Sequence, residues 1–581
     1  MAIDTLTAAF QIKVDGAQMS QAYYQALHSV TVDTSLHMPD LATLEFRAEK
    51  LDNLDSDYLA QMGRDLEILA ATHRPGSASD EGVIFKGTVT AIQGSFAANH
   101  EPRLVVRAYS AAYALQLGTR FRAFVNVTDG DIARKVISDA GLEAQVDSTS
   151  VLHKHVFQPN ISDWEFLQQR ARAIGYVVVG KGKKVKFVKP VTLEGAAEEL
   201  EYNTTLIDLD ITLTAAGQAT EVEANGWNPQ EKKAVSARSN NSTWKTTTLE
   251  SGAPTKALNG IRAGNAKRLT TLGHALQNEA EGVAKAEYDR GATQFAHARG
   301  TCSGNPGINA GTRVKLVGIG TRFSGEYTVT RARHVLNNKD GYTTEFWIDG
   351  THRGTLASAL LPEGQAAPRQ HWSGLVSAIV TNNQDDEGQA RIKVKYPWLD
   401  DGQESSWARL VAPGAGKDRG LIVVPEVNDE VVVGFFQGDF NQPFVLGGVW
   451  NGKDGPPAKA VSSGEVQVRQ FKTRIGQELT FDDTKGSEKI QILDTKGNKV
   501  VIDGGGKQIL FQTDGDFIVK AQGQVKITGK SVDVTGSSGD VKLKGINVAA
   551  EGSAKAALKA PLIDIAGSGP VTIKGAVVKI N

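Results

Sequence analysis

A run of very short strand-like segments fills the C-terminal part of the chain and constrains the fold more than any other feature. After Gly455-Pro-Pro457, alternating apolar and polar residues form short segments that Gly, Ser or Pro mostly separates, with starts roughly every 7 to 10 residues. The segments are Val525–Thr528, Val532–Val534, Val541–Lys544, Ile546–Val548, Leu562–Ile565, Val571–Lys574 and Val578–Ile580. Strands this short, each with one apolar face, cannot bury that face within a single chain.

Three identical chains wound about a shared axis solve this problem. The inward Val and Ile side chains pack at the axis, strands pair between chains, and the outward Lys, Thr and Asp side chains stay in water. Such a closed prism has no free sheet edge. A single-chain β-solenoid and a disordered tail are the alternatives, and the regular apolar alternation speaks against disorder. We therefore expect a homotrimer with a β-helical needle over residues 453–581.

Residues 1–367 are predicted to form a mainly β domain with some helices. The chain contains 61 glycines, which are costly inside helices and useful in turns. Phe10–Val14 and Leu104–Tyr109 are short strand-like runs. A linker is expected around Gln365–Arg369.

Three helices are predicted in this domain from apolar periodicity. The first covers Asp129–Gly141, with Asp129 as a cap and Gly141 as a stop. The second covers Ser162–Gly175, with Ser162 and Glu165 forming a capping box. A longer helix is expected from Asn265 to Arg290, packed on a sheet or on another subunit.

Residues 371–452 are predicted to form a compact all-β unit. About 80 residues with about five strands fit a small closed barrel such as an OB-fold. The predicted strands are Gly374–Val380, Ala390–Tyr396, Leu421–Val424 and Glu430–Phe436.

This central block resembles the OB-fold of VgrG proteins and of the central spike of contractile phages. The residues that carry the resemblance are Gly374–Val376, Ile392–Trp398, Ser406–Arg409, Gly414–Gly416, Pro425–Glu426, Asp429–Val431, Gly438–Asp439, Pro443 and Gly447–Gly452. Residues resembling the hub domain of the same family are Ser35–Asp40, Ser162–Leu167, Gly300–Ile308, Phe323–Tyr327 and Gly341–Phe346. The sequence of these hub segments most resembles that of the VgrG-related spikes of extracellular contractile injection systems.

The resemblance implies a hub of two related β-barrels per chain, so that three chains present six similar units to a hexameric tube. It also implies a small PAAR-type cap on the blunt tip of the needle. The tip residues expected to bind this cap are Val571, Ile573, Ala576, Val578, Ile580 and Asn581. Inner-tube and baseplate proteins are the other partners that the resemblance implies.

Composition excludes several other functions. The formal net charge is -1, which removes the electrostatic argument for a nucleic-acid partner. One cysteine, Cys302, cannot form an intrachain disulfide or a cysteine metal cluster. The sequence has no stretch typical of a signal peptide and no apolar run of roughly 20 residues for a membrane helix.

Candidate chemical sites are few, and each has a simpler interpretation. Gly414–Asp418 faintly resembles a phosphate loop, but Asp418 replaces the required Ser or Thr, which favours a barrel turn. His153 and His155 share a strand face, yet the sequence offers no third metal ligand beside them. No cofactor or metal is therefore expected.

Three further candidates are interpreted in the same way. Asp400, Asp401 and Glu404 suggest paired carboxylates, but they lie in a polar turn. Cys302 has no base beside it and is expected to be a buried thiol. Asp514–Asp516 is too short for a calcium loop.

The sequence thus predicts a mechanical spike and not an enzyme. We expect it to be assembled in the bacterial cytoplasm as part of a contractile injection particle and to touch the target membrane transiently on firing. A type VI or phage-tail spike and a tail-associated cell-wall hydrolase are the alternatives, and a fibre-like glycan binder is disfavoured by the few aromatic residues after Trp450.

Overall fold

The computed structural model of the chain describes residues 7–47, 61–73, 80–98, 101–190, 193, 197–215, 218–243, 247–248, 267–274, 276–337, 341–350 and 374–580. The chain divides into two compact units, Met1–Gly455 and Pro456–Asn581. The expected linker Gln365–Arg369 lies outside the described residues. Of those that are described, no helix is both long enough and apolar enough to cross a membrane.

Strands dominate the first unit, as the sequence predicts. Its first half contains β1 Thr7–Val14, β2 Ala17–Gln18, α1 Gln21–Ala26, β3 Leu27–Ser35, β4 Leu41–Arg47, β5 Asp65–His73, β6 Asp80–Ser95, β7 Arg103–Ser110, β8 Arg120–Thr128, α2 Asp129–Asp139, β9 Glu143–Val146, β10 Leu152–Ile161, α3 Asp163–Ala173, β11 Val177–Lys181 and β12 Lys184–Val188. The predicted strands Phe10–Val14 and Leu104–Tyr109 lie within β1 and β7 and are confirmed.

The remaining elements of the hub region continue the same pattern. They are β13 Glu198–Glu201, β14 Leu206–Leu213, β15 Glu221–Asn228, β16 Lys233–Ser239, β17 Thr247–Thr248, β18 Lys267–His274, α4 Gln277–Thr293, β19 Ala296–Ser303, β20 Arg313–Val317, β21 Gly325–Thr328, β22 Arg331–Asn337 and β23 Gly341–Ile348. Eleven of the strands form one continuous sheet in the order β14-β19-β23-β22-β3-β4-β7-β6-β5-β1-β2.

Two separate hydrophobic cores lie along this sheet. One contains Ile12, Val30, Leu44, Ile68 and Val106, which alternate with exposed or half-buried neighbours along β1 and β3–β7. The other gathers the second group of strands, and its members include Leu206, Cys302, Val314, Leu316 and Phe346. The two-residue period of each strand therefore decides which side chains enter a core.

The first two predicted helices form a small α/β layer with β8–β12. α2 and α3 bury Ile132, Val136, Phe166 and Leu167 in one core, as their periodicity predicts. The predicted cap of α2 was wrong by one residue. Thr128 is the cap, because its hydroxyl accepts from the backbone N–H of Asp131 while the Asp131 carboxylate accepts from the backbone N–H of Thr128.

The capping of α3 is confirmed in part. The Ser162 hydroxyl accepts a hydrogen bond from the backbone N–H of Glu165 at 3.2 Å. The Glu165 carboxylate, however, accepts from the side-chain amide of Gln169. Only the serine half of the predicted capping box is therefore formed.

The third predicted helix was wrong in its first part. α4 begins at Gln277, whereas Lys267–His274 is strand β18 and pairs in parallel with β15. Asn265 lies outside the described residues. The expected packing on a sheet is confirmed, since Ala280 and Ala284 lie against β15 and β16. Strand pairing with a segment distant in sequence overrides the local helical pattern here.

The last part of the first unit is a five-stranded sheet, in agreement with the predicted number of strands. Its strands are β24 Val376–Asn382, β25 Lys393–Lys395, β26 Arg409–Leu410, β27 Glu430–Phe435 and β28 Pro443–Gly448, in the order β25-β24-β27-β28-β26. The core of this sheet includes Phe157 of β10, whose backbone N–H donates to the Asn441 side chain at 2.7 Å. Strand β10 of the α/β layer thus contributes Phe157 to the core of the five-stranded sheet and Val156 to the core of its own layer.

The second unit begins with two short strands, β29 Val461–Ser462 and β30 Glu465–Val466. An antiparallel meander of five strands follows: β31 Val468–Lys472, β32 Glu478–Asp482, β33 Lys489–Leu493, β34 Lys499–Asp503 and β35 Gln508–Gln512. The predicted segments begin at Val525, so the pairing of residues 468–512 within one chain is additional to them. Residues 513–580 form no strand within the single chain.

Candidate interaction surfaces

One face of the meander is apolar. Two rows of cross-strand partners cross it, namely Phe481-Ile490-Ile502-Ile509 and Phe471-Leu479-Ile492-Val500-Phe511. All of them except Val500 are exposed. A contiguous apolar face of this kind is rare on a monomer and marks an interaction surface.

The opposite face of the meander is mixed, with polar side chains around the buried Val501. Thr480 lies at its centre, only 8% exposed, and receives a hydrogen bond from the Gln470 amide at 3.1 Å. Lys472 pairs with Glu478 at 2.6 Å on the same face. Among the residues that the structure describes, none covers the apolar face of the meander.

The segment 516–580 also exposes apolar side chains, and its backbone is unpaired as well. None of its described residues takes part in a backbone–backbone hydrogen bond. Apolar side chains at alternate positions are exposed, for example Val541 and Leu543, or Ile563 and Ile565. Ile546 is fully exposed. Exposed apolar side chains at alternate positions are typical of an interaction surface.

The predicted tip residues lie at the end of this segment. Val571, Ile573, Ala576, Val578 and Ile580 are all exposed, with Ile580 at 88%. Asn581 lies outside the described residues. Within one chain these side chains occupy an extended stretch, so a flat tip requires the other chains of an assembly.

The five-stranded sheet carries a further exposed apolar stretch that corrects a predicted strand. Leu421–Val424 is not a strand, and Leu421, Ile422 and Val423 are exposed. The backbone N–H of Leu421 donates to the Pro413 carbonyl, but the stretch pairs with no strand among the described residues. β propensity alone therefore misplaced this segment.

The glycine-rich sequence Gly414–Asp418 forms a turn, as predicted. The backbone groups of Gly416 and Arg419 exchange two hydrogen bonds, which closes a short hairpin around Lys417 and Asp418. Asp418 has a φ of 54°, in the left-handed region that a tight turn requires.

His153 belongs to a buried cluster of charges that the sequence did not predict. Its Nε2 lies 2.9 Å from Asp129 and its Nδ1 lies 3.5 Å from Glu279, while Arg170 contacts both Asp129 and His153. Burial lowers the pKa of His153, but hydrogen bonds to the two carboxylates outweigh burial and raise it. Burial raises the pKa of Asp129, but Arg170 and His153 outweigh burial and lower it.

Arg170 lies among the groups that a metal ion would have to contact. The cluster instead joins α2, β10, α3 and α4 through paired charges. In the described part of the chain, no group of three or more His, Cys, Asp or Glu side chains has a geometry suited to a metal ion.

His155 lies apart from this cluster and points to the five-stranded sheet. Its Nε2 is 3.2 Å from the Glu404 carbonyl, and burial lowers its pKa to about 4. Asp401 and Glu404 pair with lysines of β25, Lys395 and Lys393, both at 3.3 Å. The acidic turn is a set of surface ion pairs, as its polar sequence predicts.

Cys302 is completely buried in the second hub core, as expected. Its thiol donates to the Thr344 carbonyl at 3.4 Å. Asp514 and Asp516 are at most partly buried, beyond the last strand of the meander. The exposed apolar surfaces of the second unit are therefore the main candidates for a functional site.

Two protein-family profiles match parts of the first unit. The profile of a family described as the Alg8 N-terminal domain matches residues 4–338. A second profile, described as the type VI secretion system/phage-baseplate injector OB domain, matches residues 376–450.

Curated relatives match over shorter stretches. The type VI secretion system spike protein VgrG3 of Vibrio cholerae is 27% identical over 176 residues, which are 25% of this chain and 17% of that protein. The actin cross-linking toxin VgrG1 of Vibrio cholerae is 29% identical over 136 residues, 22% of this chain and 12% of the toxin. The chain therefore spans less than a fifth of the length of these two relatives.

A solved structure is similar over most of the chain. One chain of the lidded PdpA–VgrG complex of Francisella matches with a TM-score of 0.52 and 9% identity, covering 87% of this chain and 80% of that chain. The half-lidded complex gives a TM-score of 0.51 at 8% identity, covering 87% and 88%. At such identity the similarity concerns the fold alone.

Proposed function

The chain belongs to the family of the Alg8 N-terminal domain and is a VgrG-type protein, and from this premise we propose that it is the central spike and hub of a contractile injection system. Three copies form the spike, cap the inner tube and puncture the target envelope mechanically when the sheath contracts. The particle is assembled in the bacterial cytoplasm and acts at the target envelope. A type VI or phage-tail apparatus is the alternative setting for the same spike.

The uncovered apolar surface of the second unit carries this proposal. Segment 516–580 exposes Val, Ile and Leu side chains at alternate positions and pairs none of its described backbone groups with backbone. The nearby meander leaves one whole face uncovered. The exposed members of that face amount to roughly 700 Å² of apolar side chain, close to the area that each partner buries in a standard interface. Three copies around one axis cover both features.

The hub supports the proposal through its two cores along a single sheet. We infer that these cores correspond to two related barrels, so that a trimer offers six similar units to a hexameric tube. Tube and baseplate proteins are therefore the proposed partners at the hub end. A PAAR-type cap is the proposed partner of Val571, Ile573, Ala576, Val578, Ile580 and Asn581 at the needle end.

The proposed action is mechanical and needs no catalytic site. The acidic turn pairs with lysines, and His153 lies among charges that neutralise one another. One relative is named a toxin, but the match covers only 12% of that protein. Zymography of the purified protein on peptidoglycan should give no clearing, and a cleared band would favour a cell-wall hydrolase.

Native mass spectrometry of the full chain tests the central claim. The expected species has three times the chain mass of 62.1 kDa. Hydrogen exchange on the same sample should show slow amides between residues 516 and 580, because strands paired between copies protect them. A monomer with protected amides in this segment would contradict the proposal.

A further inference from the structure

Positive charge is concentrated in the last described part of the second unit. Residues 541–580 contain six lysines, namely Lys542, Lys544, Lys555, Lys559, Lys574 and Lys579, against the two carboxylates of Glu551 and Asp564. The net charge of this segment is +4, whereas the whole chain carries -1, so the remainder carries -5. Residues 456–540 hold 12 cationic and 11 acidic side chains. The terminal segment therefore differs in charge from the rest of its own unit.

The lysines are also free to meet an external partner. All six are exposed, and among the described residues only Lys542 has a carboxylate within ion-pair distance, Asp540 at 3.1 Å. Lys542 and Lys579 stand between the two apolar residues of Val541–Leu543 and Val578–Ile580. Successive side chains of an extended strand point to opposite sides, so these lysines point outward when the apolar pairs face the trimer axis.

We propose that the terminal segment of the needle binds the anionic headgroups of a phospholipid membrane. The inference rests on the proposed function, because a trimer brings three copies of the +4 segment together and presents +12 around one rod. Lysine ammonium groups bind an anionic membrane surface as point charges, without a shaped pocket. The charge therefore draws the needle end to the bilayer that it must cross.

The chemistry of the segment favours a lipid surface over nucleic acid. No aromatic residue follows Phe517, and the segment from 541 has no arginine. Proteins that bind nucleic acid usually combine a basic groove with aromatic stacking or arginine forks. Without Trp or Tyr, the segment is also suited to contact at headgroup level and not to insertion.

Vesicle flotation with the full-length protein tests the proposal. Vesicles of phosphatidylcholine alone are compared with vesicles that also contain phosphatidylglycerol, at low and at high salt. The variant is Lys544→Gln/Lys555→Gln/Lys559→Gln, which avoids the tip. The matched control is Lys485→Gln/Lys496→Gln/Lys507→Gln, three exposed lysines in the turns of the meander that have no ion pair among the described residues.

The wild-type protein should float with the anionic vesicles only, and high salt should release it. Each lysine near an anionic surface changes binding about five-fold, so the variant should bind at least ten-fold more weakly, and the control within about two-fold of wild type. Equal binding to neutral vesicles, or an unchanged variant, would overturn the inference. So would tighter binding of the same segment to a DNA duplex than to the vesicles.

The native mass of each sample separates the two proposals. A trimer that does not bind anionic vesicles would overturn this inference but would not contradict the proposed spike function. A wild-type monomer would overturn the spike itself, whatever the vesicles bind.

Discussion

The ring of Phe157, on strand β10, meets the ring of Phe440 edge-on, with 5.2 Å between their centroids. Phe121 of β8 stacks on Phe157 at 5.3 Å and completes an aromatic cluster. Side chains of β8 and β10 therefore pack directly against the core of the OB domain. A spike that transmits an axial load needs such a joint.

Phe157→Ala should weaken this joint and the whole first unit. Removal of a buried aromatic ring costs about 3–5 kcal/mol of unfolding free energy, because a cavity stays behind. Urea unfolding followed by circular dichroism measures the change. Val125→Ala, on the exposed side of the same pair of strands, should cost less than about 0.5 kcal/mol. Equal costs for the two variants would contradict the shared core.

Two aspartates in the first turn of α2 should behave differently. Asp129 is buried and pairs with Arg170 at 2.5 Å, whereas Asp131 is exposed and completes the capping box with Thr128. Asp129→Ala should cost about 3 kcal/mol, because it removes the buried carboxylate that pairs with the half-buried Arg170. Asp131→Ala should cost about 1 kcal/mol, as for a lost cap. Thermal unfolding of both variants tests the difference, and similar losses would show that the cluster adds little.

Asp40 should make the stability of the first unit depend on pH. Burial raises its pKa to about 8, against the opposing charge of Lys181. The folded state therefore holds a proton that the unfolded state releases near pH 4. The contribution of Asp40 to the free energy of unfolding is fully present below pH 4 and is lost as the pH rises to 8. Asp40→Asn should remove this decline and be more stable than wild type by at least about 1 kcal/mol at pH 8.

Urea titrations across this pH range measure the effect. Asp386→Asn, at an exposed position, should follow the wild-type curve. Parallel curves for wild type and Asp40→Asn would contradict the buried proton.

Substitution of Ile546 tests whether this side chain faces the axis of a trimeric needle. It is fully exposed in one copy, so a monomer should tolerate Ile546→Asp. In a trimer the same change places three carboxylates at the axis, and trimers should be lost or melt at least about 10 °C lower. Asn547→Asp, at the neighbouring outward position, is the control. Native mass spectrometry and thermal melting measure both variants. Equal behaviour of the two would contradict the placement of Ile546 at the axis.

Deletion of Pro570–Asn581 should separate trimer formation from cap binding. The meander and the segments before Pro570 retain most of the apolar surface, so the truncated chain should still form trimers. Binding of a PAAR-type protein, measured by co-purification or calorimetry, should disappear. Retained binding would reject the tip assignment of Val571, Ile573, Ala576, Val578, Ile580 and Asn581.

Several parts of the fold were predictable because neighbours in sequence decide them. The α2 and α3 stripes, with Ile132 and Phe166 buried, follow from helical periodicity alone. The strand count of the OB domain follows from alternation and turn residues. Elements such as Lys267–His274 and Leu421–Val424 were assigned wrongly, because their state depends on whether a distant partner strand is present.

The sequence by itself determined that the second unit has too much exposed apolar surface for one chain, since short alternating segments retain one apolar face in any arrangement. Only the tertiary structure decided that residues 468–512 pair among themselves, that His153 lies between two carboxylates, and that Phe157 enters the core of the OB domain. The physical reason is distance along the chain. Alternation is a local property, whereas ion pairs and shared cores depend on where folding brings residues that are tens or hundreds of positions apart.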